Sequence, residues 1–119
     1  MYDWKKIILS IDDTMKQAIE ALNDEALRIV MVADKSNKLL GTITDGDIRR
    51  SMINKKSLSS LLVDVMHKNP KTISPGDTEA KAASIMKREG LLHLPIVDEK
   101  GVIIGLKSIT NLNEVEKKR

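Results

Sequence analysis

Apolar residues fall along this chain in two alternating kinds of run. Blocks such as Ile29–Ala33, Leu39–Thr44, Leu94–Val97 and Val102–Lys107 have the length of strands and the aliphatic content of buried ones. Between them lie stretches where apolar residues recur every three or four positions. Met15, Ala18, Ile19 and Leu22 form one such set, and Ala82, Ala83, Ile85 and Met86 another. That spacing lines one face of a helix. The pattern predicts a strand over Lys6–Leu9, a helix capped by Asp12 or Asp13 and running to about Asn23, then a hairpin of Ile29–Ala33 and Leu39–Thr44 around the polar turn Asp34-Lys35-Ser36-Asn37-Lys38. A second helix is expected from about Asp45 to Ile53. After the linker Asn54–Ser60 comes a short helix, Leu61–Met66.

The second half predicts the same order again. Lys71–Ile73 is a strand, Pro75-Gly76-Asp77 a turn with a cap, and Thr78–Glu89 a helix that Gly90 ends. Leu94–Val97 and Val102–Lys107 form a hairpin around Glu99-Lys100-Gly101, and Ile109–Val115 is a last helix. This is an internal repeat. A shift of 64 residues without gaps makes eight positions identical, from Ser10/Ser74, Asp13/Asp77 and Thr14/Thr78 to Asp34/Asp98 and Gly41/Gly105. The fold class is therefore α+β: two stacked units, each strand-helix-strand-strand-helix, expected to be related by pseudo-twofold symmetry. Residues 1–60 make the first and 61–119 the second. A unit of ~50 residues closes a core poorly by itself.

Composition narrows the function. The 119 residues are 41 % hydrophobic, with no Phe and no Cys. Few rings are present to stack bases, so single-stranded nucleic acid is a poor fit. Disulfides, thiolate metal sites and cysteine nucleophiles are excluded. Neither His67 nor His93 has a second ligand at metal-binding spacing. No run approaches the ~18 apolar residues of a membrane span, and Ile7-Ile8-Leu9 is too short for a signal peptide. A cytoplasmic protein is expected, without nucleic-acid or membrane partners. The net charge of +3 is spread over both halves and favours a small anionic ligand at most.

The chemistry concentrates in Thr44-Asp45-Gly46-Asp47-Ile48, where a strand delivers a hydroxyl and carboxylates to a helix start. Helix N–H groups and a Thr hydroxyl suit a phosphate, and an Asp accepts hydrogen bonds from ribose hydroxyls. Thr44 also fits a helix cap, and Asp47 an acidic first turn, with Asp45 able to take the cap. The shift of 64 places Ser108 on Thr44 and Asn111 on Asp47.

These residues resemble a tandem pair of CBS domains, a Bateman module. The resemblance rests on Leu40-Gly41-Thr42-Ile43-Thr44-Asp45-Gly46-Asp47-Ile48, on His93-Leu94-Pro95-Ile96-Val97-Asp98 and on Ile104-Gly105-Leu106-Lys107-Ser108, and it covers about Lys6 to Val115. It implies a non-catalytic regulatory module that binds an adenine nucleotide (AMP, ADP or ATP) or a related ligand in the cleft between the repeats. S-adenosylmethionine and guanine nucleotides stay open, and no cofactor is required. The ligand-binding set it implies is Arg28, Thr42, Thr44, Asp47, Thr72, Ser74, Leu92, His93, Pro95, Ser108 and Asn111. Within that set Asp47 takes the ribose, His93 reaches phosphate, and Arg28 is read as the match of His93 in the first copy. Asn111 lacks the charge of Asp47, so a second cleft could bind weakly or stay empty. Asp3-Trp4-Lys5-Lys6 and Gly41–Arg50 further resemble the CBS pair ahead of bacterial sugar-phosphate nucleotidyltransferases. A homodimer through helical faces is expected, with Met15, Ile19 and Met86 as shared surface. Two alternatives stand beside this reading: a dimerisation module with vestigial clefts, and an enzyme. The latter lacks a nucleophile–base pair.

Overall fold

Helix and strand boundaries follow the side chains that satisfy the first free amides. The computed structural model describes residues 3–24 and 28–109. It falls into two compact units, Met1–Pro70 and Lys71–Arg119.

In the first unit, Asp3 accepts from the Lys5 N–H and Trp4–Ile7 winds into a 3-10 turn before strand β1, Ile8–Ser10. The expected strand over Lys6–Leu9 is thus displaced. Asp13 does not cap the following helix, because its carboxylate is taken by the Ser10 N–H at 2.8 Å. Thr14 stands before the helix instead, and its N–H donates to Gln17 Oε1, one half of a capping box. Helix α1 is Met15–Asp24, with Met15 and Ala18 buried. Strand β2, Ile29–Ala33, is buried throughout and pairs antiparallel with β3, Leu39–Thr44. Helix α2 is Asp45–Ile53. Leu62–Asp64 is a 3-10 turn where a short helix was expected, and β4 is His67–Lys68.

The sheet order is β1-β2-β3-β4, with β1 and β2 parallel. Val30, Val32 and Ile43 pack on Met15, Ala18 and Ile48, and Leu62 and Val65 complete that cluster. Leu62 is fully buried there, so residues 61–70 pack with the first unit rather than the second. Gly41 lets β4 come close. A Cβ on it would lie 2.6 Å from Met66 Sδ and 2.8 Å from the His67 carbonyl oxygen.

The second unit repeats the plan with fewer partners. Ile73 makes only an isolated parallel bridge to Ile96, in place of the expected strand Lys71–Ile73. Thr78 caps helix α3, Glu79–Glu89, by accepting from the Lys81 N–H, and Gly90 ends it at φ +67°. Asp77 serves the turn before the cap. It accepts from the Ser74 N–H at 2.7 Å and pairs with Lys81, and these bonds hold its carboxyl below the ordinary carboxylate range. Strands β5, His93–Val97, and β6, Ile103–Ser108, form an antiparallel pair. Ile73, Ala82, Met86 and Leu94 make the core. The expected helix Ile109–Val115 lies outside the described residues beyond Ile109.

Candidate functional site

Strand alternation sorts the candidate residues by face. Val30, Val32 and Ile43 point toward the helices of the first unit, so Met31, Thr42 and Thr44 project from the opposite face of the same hairpin. In the second unit Leu94 and Ile96 face α3, leaving His93, Pro95 and Ser108 on the face away from it. Thr42 is buried, opposite Met31 on one side and His67 on the other. Thr44 closes β3 opposite Ile29 and is half-buried.

Thr44 is the N-cap of α2, and Asp47 lies in the helix's first turn. The cap therefore falls to Thr44 and not to Asp45, the other residue able to take it. Asp47 Oδ2 accepts from the Thr44 N–H at 2.9 Å and from the Thr44 hydroxyl at 3.1 Å. Its Oδ1 accepts from Arg50, one turn further along the helix. Asp47 is only 8 % exposed. A charge so enclosed needs such partners, and the positive end of the helix adds to them. Arg50 went unnoticed in the sequence. The signal was present, since Asp and Arg three residues apart share a helix face.

Arg28 is exposed and sits at φ +60° just before β2. It is not the counterpart of His93. In the strand register His93 opposes Ser108 as Ile29 opposes Thr44, so the residue matching His93 is Ile29 and Arg28 matches Leu92. Arg28 instead rims an open concavity of about 670 Å³ beside Asn23 and Asp45, floored by Ile19, Leu22, Ile48 and Met52.

In the second unit, Leu92 is exposed, and its carbonyl accepts from the Ile109 N–H. Thr72 is half-buried and Ser74 exposed, on either side of Ile73. Pro95 is buried and opposes Leu106. Its carbonyl accepts from the Ile73 N–H, so its missing donor falls on the side where only that single bridge forms. Ser108 is 3 % exposed, and its hydroxyl has no hydrogen-bond partner among the described residues. Asn111 lies outside the described residues. Among the described residues no group of His, Asp or Glu could hold a metal, and no helix is long and apolar enough to cross a membrane.

The CBS domain family model matches the chain twice, at residues 4–54 and 62–112. The chain belongs to the CBS domain family. It is a tandem CBS pair. Among curated proteins it is 32% identical over 106 residues to an inosine-5'-monophosphate dehydrogenase of Nitrosopumilus maritimus, covering 87% of this chain and 21% of that protein. It is 33% identical over 111 residues to the arabinose 5-phosphate isomerase KdsD of Francisella tularensis, covering 92% of this chain and 33% of that one. The chain thus spans a fifth to a third of the length of these relatives. Among solved structures, CBSX2 in complex with AMP matches with a TM-score of 0.83 and 20% identity, over 100% of this chain and 94% of that one. The CBS domain protein PAE2072 from Pyrobaculum aerophilum, complexed with AMP, matches with a TM-score of 0.80 and 17% identity, over 98% and 99%.

Proposed function

We propose that this CBS pair is a regulatory module that binds an adenine nucleotide where β3 runs into α2. The observation that carries the reading is the buried Asp47 carboxylate fixed at the start of α2 by Thr44. The AMP complexes of CBSX2 and PAE2072 support it by fold. Ribose hydroxyls donate to Asp47, and the free backbone N–H groups at the start of α2 favour an anion. His93 and Ser108, cross-strand partners in the second unit, form the corresponding place there. Nucleotide binding biases an attached or partner enzyme through its differential affinity for two states. We assign that enzyme to the sugar-phosphate nucleotidyltransferases, on the resemblance at Asp3–Lys6 and Gly41–Arg50. The reading frame downstream of Arg119 tests that assignment. A thermal-shift panel of AMP, ADP, ATP, S-adenosylmethionine and GMP tests the ligand. A nucleotide at a hundred times its Kd stabilises the fold by about 2.7 kcal/mol. No shift with any of the five overturns the reading.

A second reading has its own support. Asp47 is engaged within the chain, as a purely structural cap would be. In that case the module serves dimerisation. The homodimer itself belongs to both readings, but its surface needs revision. Met15 and Met86 are each 2 % exposed and belong to their own cores. Ile19 is half-buried, and Met52 and Ile53, 60% and 78% exposed on α2, are the two most exposed large apolar residues among those described. Light scattering at micromolar protein reads the outcome directly.

A further inference from the structure

A carboxylate offers about four acceptor positions, two on each oxygen. In Asp47 the Thr44 N–H and hydroxyl fill both positions on Oδ2, and Arg50 takes one on Oδ1. One position is left. A ribose brings two donors, its 2′- and 3′-hydroxyls. The Thr44 bonds hold the first turn of α2 and the end of β3 together, while the Arg50 side chain is 67% exposed and free to swing into water. Of the three donors, Arg50 is the one that a ligand can displace at small cost.

We propose that Arg50 is a latch on the nucleotide site: it occupies Asp47 Oδ1 in the free protein and must leave before a full ribose diol is accepted. The inference rests on the reading of Asp47 as the ribose acceptor. It assigns Arg50 a specificity role. A 2′-deoxynucleotide, with one hydroxyl, uses the open position and leaves the latch closed. A ribonucleotide has to open it. The latch therefore narrows the preference for ribose that Asp47 creates.

Calorimetry with AMP and 2′-deoxy-AMP on the wild type and on Arg50→Gln tests this. Opening an exposed ion pair corresponds to about a two- to fivefold change in affinity. R50Q should bind AMP tighter by that factor and 2′-deoxy-AMP about as the wild type does, so the ratio of the two Kd values widens. An unchanged ratio overturns the latch. So does a loss of affinity for both nucleotides, which would place Arg50 on the phosphate. A second arm needs no ligand. The Arg50 guanidinium protons, followed by NMR, should exchange more slowly in the wild type than in Asp47→Asn. Equal exchange in the two proteins overturns the latch alone. If neither nucleotide binds either protein while the slower exchange is present, the ion pair stands and the reading of Asp47 as a ribose acceptor falls, taking the gating role with it.

Discussion

The hairpins of the two repeats keep the same backbone and differ in what they do with it. Each hairpin has its register shift at the same place, between Val32 and Ala33 in one and between Ile96 and Val97 in the other. Each turn is built by one aspartate: Asp34 Oδ1 accepts from Ser36 and Lys38, and Asp98 Oδ1 from Lys100 and Val102. Each tight turn has a residue at positive φ, Asn37 at +66° and Gly101 at +84°. Divergence begins at the end of the hairpin. Thr44 gives its hydroxyl to Asp47, whereas Ser108 buries a hydroxyl with no partner among the described residues. The first hairpin also carries an extra strand against Gly41, whereas the nearest atoms to a Cβ on Gly105 belong to the Ile96 side chain. Bonds that set the turn were kept in both copies, and bonds at the open end of the hairpin were free to change.

The largest contrast should appear at the two glycines. Gly41→Val drives a side chain into the His67 carbonyl and Met66, and the backbone oxygen cannot yield. A loss of about 3 kcal/mol in urea unfolding is expected, at the upper end of overpacking costs. Gly105→Ala meets only the tip of the Ile96 side chain at 3.2 Å, which can shift, so it should cost under about 1 kcal/mol. Equal losses at the two sites would mean that β4 does not press on β3.

Smaller and symmetric effects are expected at the turns. Asp34→Ala and Asp98→Ala each free two backbone N–H groups, for about 1–2 kcal/mol apiece. A clear inequality between them would break the claim that the scaffold is shared. The smallest effects separate the hydroxyls. Thr44→Val removes a donor to a buried carboxylate and should cost about 1 kcal/mol. Ser108→Ala removes a buried hydroxyl without a partner among the described residues and should be neutral or slightly stabilising in the free protein. A large loss at Ser108 would show that its hydroxyl is satisfied after all.

Much of this scaffold was legible in the amino-acid sequence because periodicity and duplication speak to the backbone. Ile29–Ala33, Leu39–Thr44 and the helix from Asp45 came out where the apolar pattern put them. Polar two-residue pieces did not. His67–Lys68 is exposed and without pattern, and it becomes a strand only because Gly41 opens space beside β3. The caps were misread as Asp12 or Asp13 in the first copy and Asp77 in the second, whereas Asp13 and Asp77 are engaged elsewhere. Both carboxylates serve the turn two residues before the helix, and the threonines take the cap position. At the site, the place of Asp47 followed from its spacing to Gly41 and Thr44. Its engagement by Thr44 and Arg50 did not, because hydrogen-bond partners of a buried charge depend on rotamers rather than on sequence order. Arg28 was misplaced by one residue: the shift of 64 already sets it on Leu92, and the strand register agrees.

The central claim is that Asp47 takes a ribose. Calorimetry of AMP against the wild type and Asp47→Ala measures it most directly. Hydrogen bonds to a charged acceptor contribute about 1.5–3 kcal/mol, so the variant should bind roughly ten- to a hundredfold more weakly. A 2′,3′-dideoxy nucleotide should already bind the wild type poorly and lose little more in the variant, since both changes delete the same contact. AMP binding that Asp47→Ala leaves unchanged, with the variant shown to be folded, would contradict the account.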